Sequence, residues 1–265
     1  MNETSSAPQS FGPGAKGRVE AVDTAVLEAA DGTGAQGEGN PAGGRRTSRR
    51  SIPSNDAQSL RRAAAVFFSQ PSPVIIASVL AASIAGRLYV GSYSWWDLVP
   101  PAAVLCAQPF TEWLIHVFVL HFRPRTVRGR RIDPLVSRKH RAHHGDPKDL
   151  KLVFIPLQTL VGLLAGTGAV FLIPFSLPVG LSGLVGAYLM TLAYEWTHYL
   201  IHSAYRPRHG LFRYVWRAHR HHHFRNEHYW FGVTMHAADH LLGTFPEKGE
   251  VELSPTARNL GVEAA

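Results

Sequence analysis

Cysteine is almost missing from this sequence of 265 residues, where Cys106 stands alone. A single thiol forms neither an internal disulfide nor a multi-cysteine metal site. Because it lies within an apolar run, Cys106 reads as a small buried residue. Histidine is absent from the first 115 residues. Met1 to Ser6 offer neither the basic start nor the apolar core of a signal peptide. No Gly-rich dinucleotide fingerprint follows a strand, and no cysteine set exists for an iron–sulfur cluster. Electrons for any redox chemistry would therefore have to come from another protein.

Charge is missing from long stretches. Residues 1–60 are rich in Gly, Ser, Ala, Pro and Arg without a sustained apolar period, which predicts a disordered tail. Arg45, Arg46, Arg49, Arg50, Arg61 and Arg62 would keep that end in the cytoplasm. Ala63 to Gly86 carries no charge, and Pro71 and Pro73 suit the first turn of a helix running to about Tyr93. Arg87 is placed to snorkel near its end, and Trp95 and Trp96 to anchor at an interface. A second span runs from about Leu98 to His121, with Glu112 its only acid. Leu152 to Tyr194 is uncharged over 43 residues, about twice one crossing. Pro174 and Pro178 break it, predicting a helical hairpin that descends to about Ile173, turns over Pro174–Ser182 and returns from Val179 to His202.

The net charge of +8 fits nucleic acid, an anionic surface or membrane topology. Its placement beside apolar spans favours topology, and a nucleic-acid role would leave four spans unexplained. Between Arg123 and Lys151, ten basic residues crowd into 29. Basic loops stay cytoplasmic, so four crossings put that loop and both termini inside. The expected fold class is an all-α membrane protein of about four transmembrane helices with a cytosolic helical cap. The expected domains are the tail 1–60, a catalytic domain 61–248 and a short C-terminal tail 249–265.

This topology, derived without reference to histidine, brings four histidine clusters to one depth on one side. His116 and His121 end span two, and His140, His143 and His144 lie in the basic loop. His198 and His202 end span four, and His219, His222 and His223 follow. Each triplet at i, i+3, i+4 shares one helical face, while His221 points away. His116 and His121, at i, i+5, stand about 140° apart on a regular helix, so either that helix loosens or the two approach from different sides. His209 and His228 read as surface residues. Ten imidazoles exceed one metal's need and suit two metals with about five nitrogens each. An all-nitrogen set with open positions fits redox iron, with zinc a competitor for imidazole. Carboxylates are needed to orient neutral ligands, and Glu112 and Glu195 are placed to do so.

The boxes H-x4-H, H-x2-H-H, H-x3-H and H-x2-H-H, in this order, resemble those of the fatty acid hydroxylase superfamily of integral-membrane lipid hydroxylases and sterol desaturases. Phe231-Gly-Val-Thr, Asp239 and Gly243-Thr244 resemble the segment after its last box, and the likeness covers about Ala63 to Pro246. His236 and His240 depart from it, standing where many relatives carry apolar or aromatic residues. With Asp239 they are candidates to stand behind the ligands. The resemblance implies a non-haem di-iron oxidoreductase that uses O2 to hydroxylate an acyl chain, sterol-like molecule or carotenoid drawn from the bilayer. Desaturation on the same centre is the alternative. It also implies an external donor, a ferredoxin or b-type cytochrome with its reductase, for which the basic loop offers a landing surface. A metal transporter would coordinate near the bilayer midplane, and a metal buffer would not need ordered spacing.

Overall fold

The computed structural model describes residues 59–262. The expected tail lies outside the described residues except for Ser59 and Leu60. Arg61 and Arg62, at the start of the expected catalytic domain, lie in helix α1 (Leu60–Phe67), which starts where the Ser59 hydroxyl accepts the Arg62 N–H.

Four helical stretches are long and apolar enough to cross a membrane: Pro71–Val90, Trp95–Leu120, Leu150–Leu172 and Leu177–His202. The first is α2 (Pro71–Val90), with prolines in its opening turn, where a missing N–H costs nothing. It stops short of Tyr93 because Gly91 and Ser92 take φ of 63° and 55°, which no helix continues. A 3-10 turn, Trp95–Leu98, leads into α3 (Val99–Leu114), which loosens into a π turn over Ile115–Leu120. The hairpin consists of α5 (Leu157–Leu172) and α6 (Leu177–His202). Its turn is shorter than expected because Pro178 sits in the first turn of α6 rather than in the connection.

Helix α6 is the hub, packing against α2, α3 and α5. Two glycines permit the approach. A Cβ on Gly186 would fall 2.8 Å from Pro101 Cα, and one on Gly183 2.2 Å from the Phe171 ring. The outer faces of the spans stay apolar and exposed, as suits a hydrocarbon solvent. Cys106, expected to be buried, is exposed among them, because a residue facing lipid needs no protein cover.

The two ends of the bundle differ. At one end Arg87 does not snorkel. It turns inward to Asp97 (2.8 Å), Ser182 Oγ (3.0 Å) and the Gly91 carbonyl (2.5 Å), lying over the Tyr93 ring. These contacts tie α2, the 3-10 turn and α6 together. Trp95 and Trp96 lie exposed beside them with ring centroids 3.7 Å apart.

At the other end a folded layer covers the bundle. It holds a two-stranded antiparallel hairpin, β1 (Arg125–Val127) and β2 (Arg130–Ile132), the one departure from an all-helical chain among the described residues. Arg128 and Gly129 turn it with φ of 51° and 76°, the left-handed pair a two-residue hairpin requires. Helices α4 (Leu135–Gly145), α7 (Gly210–Phe224) and α8 (Ala237–Leu241) complete the layer. Its cores join α1 to the end of α6 (Ala63, Phe67, Tyr199, Leu200), α6 to α7 (Ile201, Val215, Val233), and α7 to later loops (Ala218, Trp230, Val251). Part of the stretch expected as a C-terminal tail joins in, with Val251, Ala257 and Leu260 buried.

Candidate metal centre

All ten box histidines meet where the spans enter the folded layer. They form two groups, His116, His121, His140, His144 and His222, and His143, His198, His202, His219 and His223. Within each group one ring nitrogen per residue lies within 4.8 Å of every other. The structure thus divides each triplet that shares a helical face. The i, i+4 pairs 140/144 and 219/223 stay together, while His143 and His222 each cross to the other group.

The i, i+5 pair is explained by the π turn. The His121 N–H bonds the His116 carbonyl at 3.0 Å, an i to i−5 bond that widens the turn and brings the fifth residue back over the first. Helix α4 supports the turn, because the buried Ser137 hydroxyl donates to the Val119 carbonyl at 2.7 Å. Arg141 bonds the Phe122 carbonyl (3.0 Å) and Asp133 (2.6 Å), fastening α4 to the exit of span two.

Carbonyls back five of the rings, Pro147 standing behind His202. His116 Nδ1 lies 2.6 Å from Phe231 O, His144 Nδ1 2.8 Å from Ala257 O, His222 Nδ1 2.7 Å from Tyr229 O, and His198 Nδ1 3.2 Å from Val153 O. A carbonyl only accepts, so each Nδ1 carries the proton and each Nε2 presents a lone pair. In the first group the Nε2 atoms of His116 and His144 stand 3.1 and 3.2 Å from that of His140, and those of His121 and His222 are 3.2 Å apart. In the second, Nε2 separations run 3.2 Å (His143–His202), 3.2 Å (His202–His219) and 3.1 Å (His219–His223). His140 Nε2 has at most one proton to offer, and two lone pairs face it. A cation resolves this crowding. Metal–nitrogen bonds of about 2.1 Å at right angles put neighbouring nitrogens about 3 Å apart. The donor set therefore fits two metals.

The electrostatics agree. Burial pushes His140, His143, His219, His222 and His223 well below the ordinary imidazole range, and neighbouring rings add to the push. His144 falls to about 3, with the Ala257 carbonyl pulling the other way. The rings are neutral and free to donate to a metal at physiological pH.

The carboxylates act at one remove. Glu112 was expected to orient a ligand directly. Its oxygens instead accept the N–H groups of Val233 (3.0 Å) and Thr234 (2.9 Å), and the Thr234 hydroxyl. Asp239 accepts the N–H groups of Phe231 (3.0 Å) and Gly232 (2.7 Å) and the Thr244 hydroxyl (2.7 Å), which in turn accepts from Trp113 (3.0 Å). Two buried acids thus hold four consecutive N–H groups, and the first of those residues lends its carbonyl to His116. Glu195 turns away from its helix-mates His198 and His202 toward Ser72 Oγ (2.5 Å) and the Ile155 N–H (2.9 Å), steadying the segment whose Val153 carbonyl meets His198. Their engagement with the backbone explains why none touches one of the ten box rings.

His236 and His240 part company. His236 is buried with Nδ1 3.0 Å from Asp239, whereas His240 is exposed and bonds the Tyr214 hydroxyl at 2.6 Å, away from the rings. The position of His240 on the outer side of the short helix α8 accounts for this. His221 packs on Trp230, and His209 and His228 are exposed. The supporting carbonyls had no side-chain signal in the sequence. Glu227 carries one, as a lone acid soon after the last box.

The model of the fatty acid hydroxylase family matches residues 101–244, a stretch that includes all ten histidines. Dihydroceramide fatty acyl 2-hydroxylase FAH2 of Arabidopsis thaliana is 30% identical over 138 residues, covering 51% of this chain and 55% of its own. Its counterpart FAH1 is 31% identical over 140 residues, covering 52% and 56%. The chain spans about half the length of these curated relatives. A solved structure described as full-length scs7p, with only its hydroxylase domain visible, superposes with a TM-score of 0.58 at 21% identity, covering 69% of this chain and 68% of that one. That likeness is one of fold.

Proposed function

The chain belongs to the fatty acid hydroxylase family, and on that footing we propose that it is an O2-dependent membrane lipid hydroxylase whose ten box histidines hold two irons. The observation that carries this is the convergence of ten ring nitrogens, nine of them on buried residues, into two groups of five. His116, His121, His140, His144 and His222 would hold one metal, and His143, His198, His202, His219 and His223 the other. Bound there, a redox-active pair supplies the activation of O2 for attack on an unactivated C–H bond. The net change is R–H plus O2, two electrons and two protons to R–OH and water.

The chain's own residues do the rest. Carbonyls of Phe231, Ala257, Tyr229 and Val153 keep protons on Nδ1 and turn Nε2 inward. Glu112 and Asp239 lock residues 231–234 beside the first group. The buried layer excludes water from the rings, which limits escape of reactive oxygen species. The apolar spans bring the substrate, an acyl chain of a membrane lipid, and the relatives' names point to a ceramide-like amide. By the positive-inside rule, the exposed Arg125, Arg128, Arg130 and Arg131 of the β hairpin support a cytoplasmic position for the layer. They also offer an acidic ferredoxin or b-type cytochrome a landing surface.

The test is lipid mass spectrometry on membranes carrying the protein, a reduced donor and ¹⁸O2. One ¹⁸O in an acyl-chain hydroxyl is expected. New unsaturation without label would replace hydroxylation by desaturation. Neither product, with metal and a working donor present, would overturn the enzymatic reading.

A further inference from the structure

We propose that residues 251–261 form a strap that positions His144 and thereby governs metal binding in the first group alone. The proposal deepens the two-metal reading and rests on it. The family match ends at residue 244, before this stretch begins.

The strap has no helix or strand to hold it, so its place is set by bonds to the rest of the layer. At its near end the Ser254 N–H donates to the Arg225 carbonyl at 2.8 Å, and Arg225 Nε returns a bond to the Val251 carbonyl at 2.7 Å. The Thr256 hydroxyl donates to the carboxylate of Glu227, a side chain only 1% exposed. At its far end Leu260 and Gly261 take φ of 54° and 67°, and a Cβ on Gly261 would stand 2.9 Å from the Arg123 guanidinium. Between these fastenings Ala257 is buried, and its carbonyl accepts the Nδ1 proton of His144 at 2.8 Å.

A carbonyl behind a ligating imidazole fixes its tautomer and ring plane, and losing such support costs about 10–100-fold in metal affinity. Thr256 neighbours the donor of that carbonyl, and Glu227 is the buried acid that anchors Thr256. Both are positioning residues, acting through Ala257 on His144. None of the second group's rings bonds the strap in the contacts the structure shows, so the consequence is one-sided. A strap serving only general stability would weaken both groups together.

The experiment uses the full chain in detergent, loaded with ferrous iron alone and then challenged with a chelator. The parent protein should hold about two irons. Thr256→Val and Glu227→Leu should each lose one, or release one about 10–100-fold faster, with the other iron's release rate unchanged and helicity at the assay temperature retained. Thr256→Ser, which keeps the hydroxyl, should restore the parent behaviour. Two irons released at parental rates from both variants would overturn the proposal. So would loss of both irons together with helicity. A parent chain that binds no iron pair would instead overturn the two-metal reading, and the strap with it.

Discussion

In the first group of imidazoles three rings, His116, His144 and His222, donate their Nδ1 protons to backbone carbonyls. In the second group two rings have a carbonyl behind them, His198 with Val153 and His202 with Pro147. Nδ1 of His143, His219 and His223 is buried without a hydrogen-bond partner. The groups match in number and nearly in burial, yet the backbone backs three rings of the first and two of the second, whose other three Nδ1 atoms are held by packing. The carbonyls of the first group all come from residues 229–257, which follow the last histidine box. The number of gathered imidazoles is thus set by the boxes, while the orientation of the first group's rings is set by the chain that folds back after them. The first group should accordingly hold its metal more tightly, by about 10–100-fold.

The largest test of this contrast separates neighbours on one helical face. His140→Ala and His143→Ala should each abolish product formation and each leave about one metal per chain of the two that the groups provide for. The ion retained by His143→Ala should leave slowly under chelation and that retained by His140→Ala quickly. His221→Ala, on the opposite face against Trp230, should keep both. If either ligand variant loses both ions at once, the groups are not independent.

A smaller effect is expected from Asp239→Asn. The side chain keeps its size but loses the charge that receives two N–H groups, so Phe231 loosens and its carbonyl swings from His116. Weaker iron binding in the first group by about 10–100-fold, with the second unchanged, is the expected titration result. Equal weakening of both would erase the distinction.

The least selective effect comes from acid, because the depressed imidazoles belong to both groups. In the unfolded chain each takes a proton near pH 6.5, whereas His144 when folded does so only near 3. Between those values the unfolded state binds more protons, so stability is complete above about pH 6.5 and falls as pH drops below it. The melting midpoint of metal-stripped protein should be flat from pH 8 to about 6.5 and then decline. A midpoint that rises on acidification would contradict neutral, buried rings.

Much of this was legible in the sequence, for a physical reason. Uncharged stretches of about 20 residues have few fates besides crossing a membrane, and His198 and His202 share a face on any α-helix. The partition of each triplet was not legible, since one helical face can serve two centres and only the opposing helices decide which. Nor were the supports, because a carbonyl belongs to every residue and Phe231, Tyr229 and Ala257 carry no mark of lending theirs. Arg87 misled because snorkelling is the default near a span end; its partners Asp97 and Ser182 lie in other helical elements.

The π turn at Ile115–Leu120 bears on how the length of this chain should be compared with others. A π turn is an α-helix with one residue inserted, and the extra residue brings His121 back over His116. Deleting one residue between the two would leave H-x3-H on an α-helix, the arrangement His198 and His202 already use. Such a deletion would shorten span two by one residue and still leave both rings on one side. At this position, unlike most positions in a membrane helix, chains differing by a single-residue gap can present the same pair of ligands.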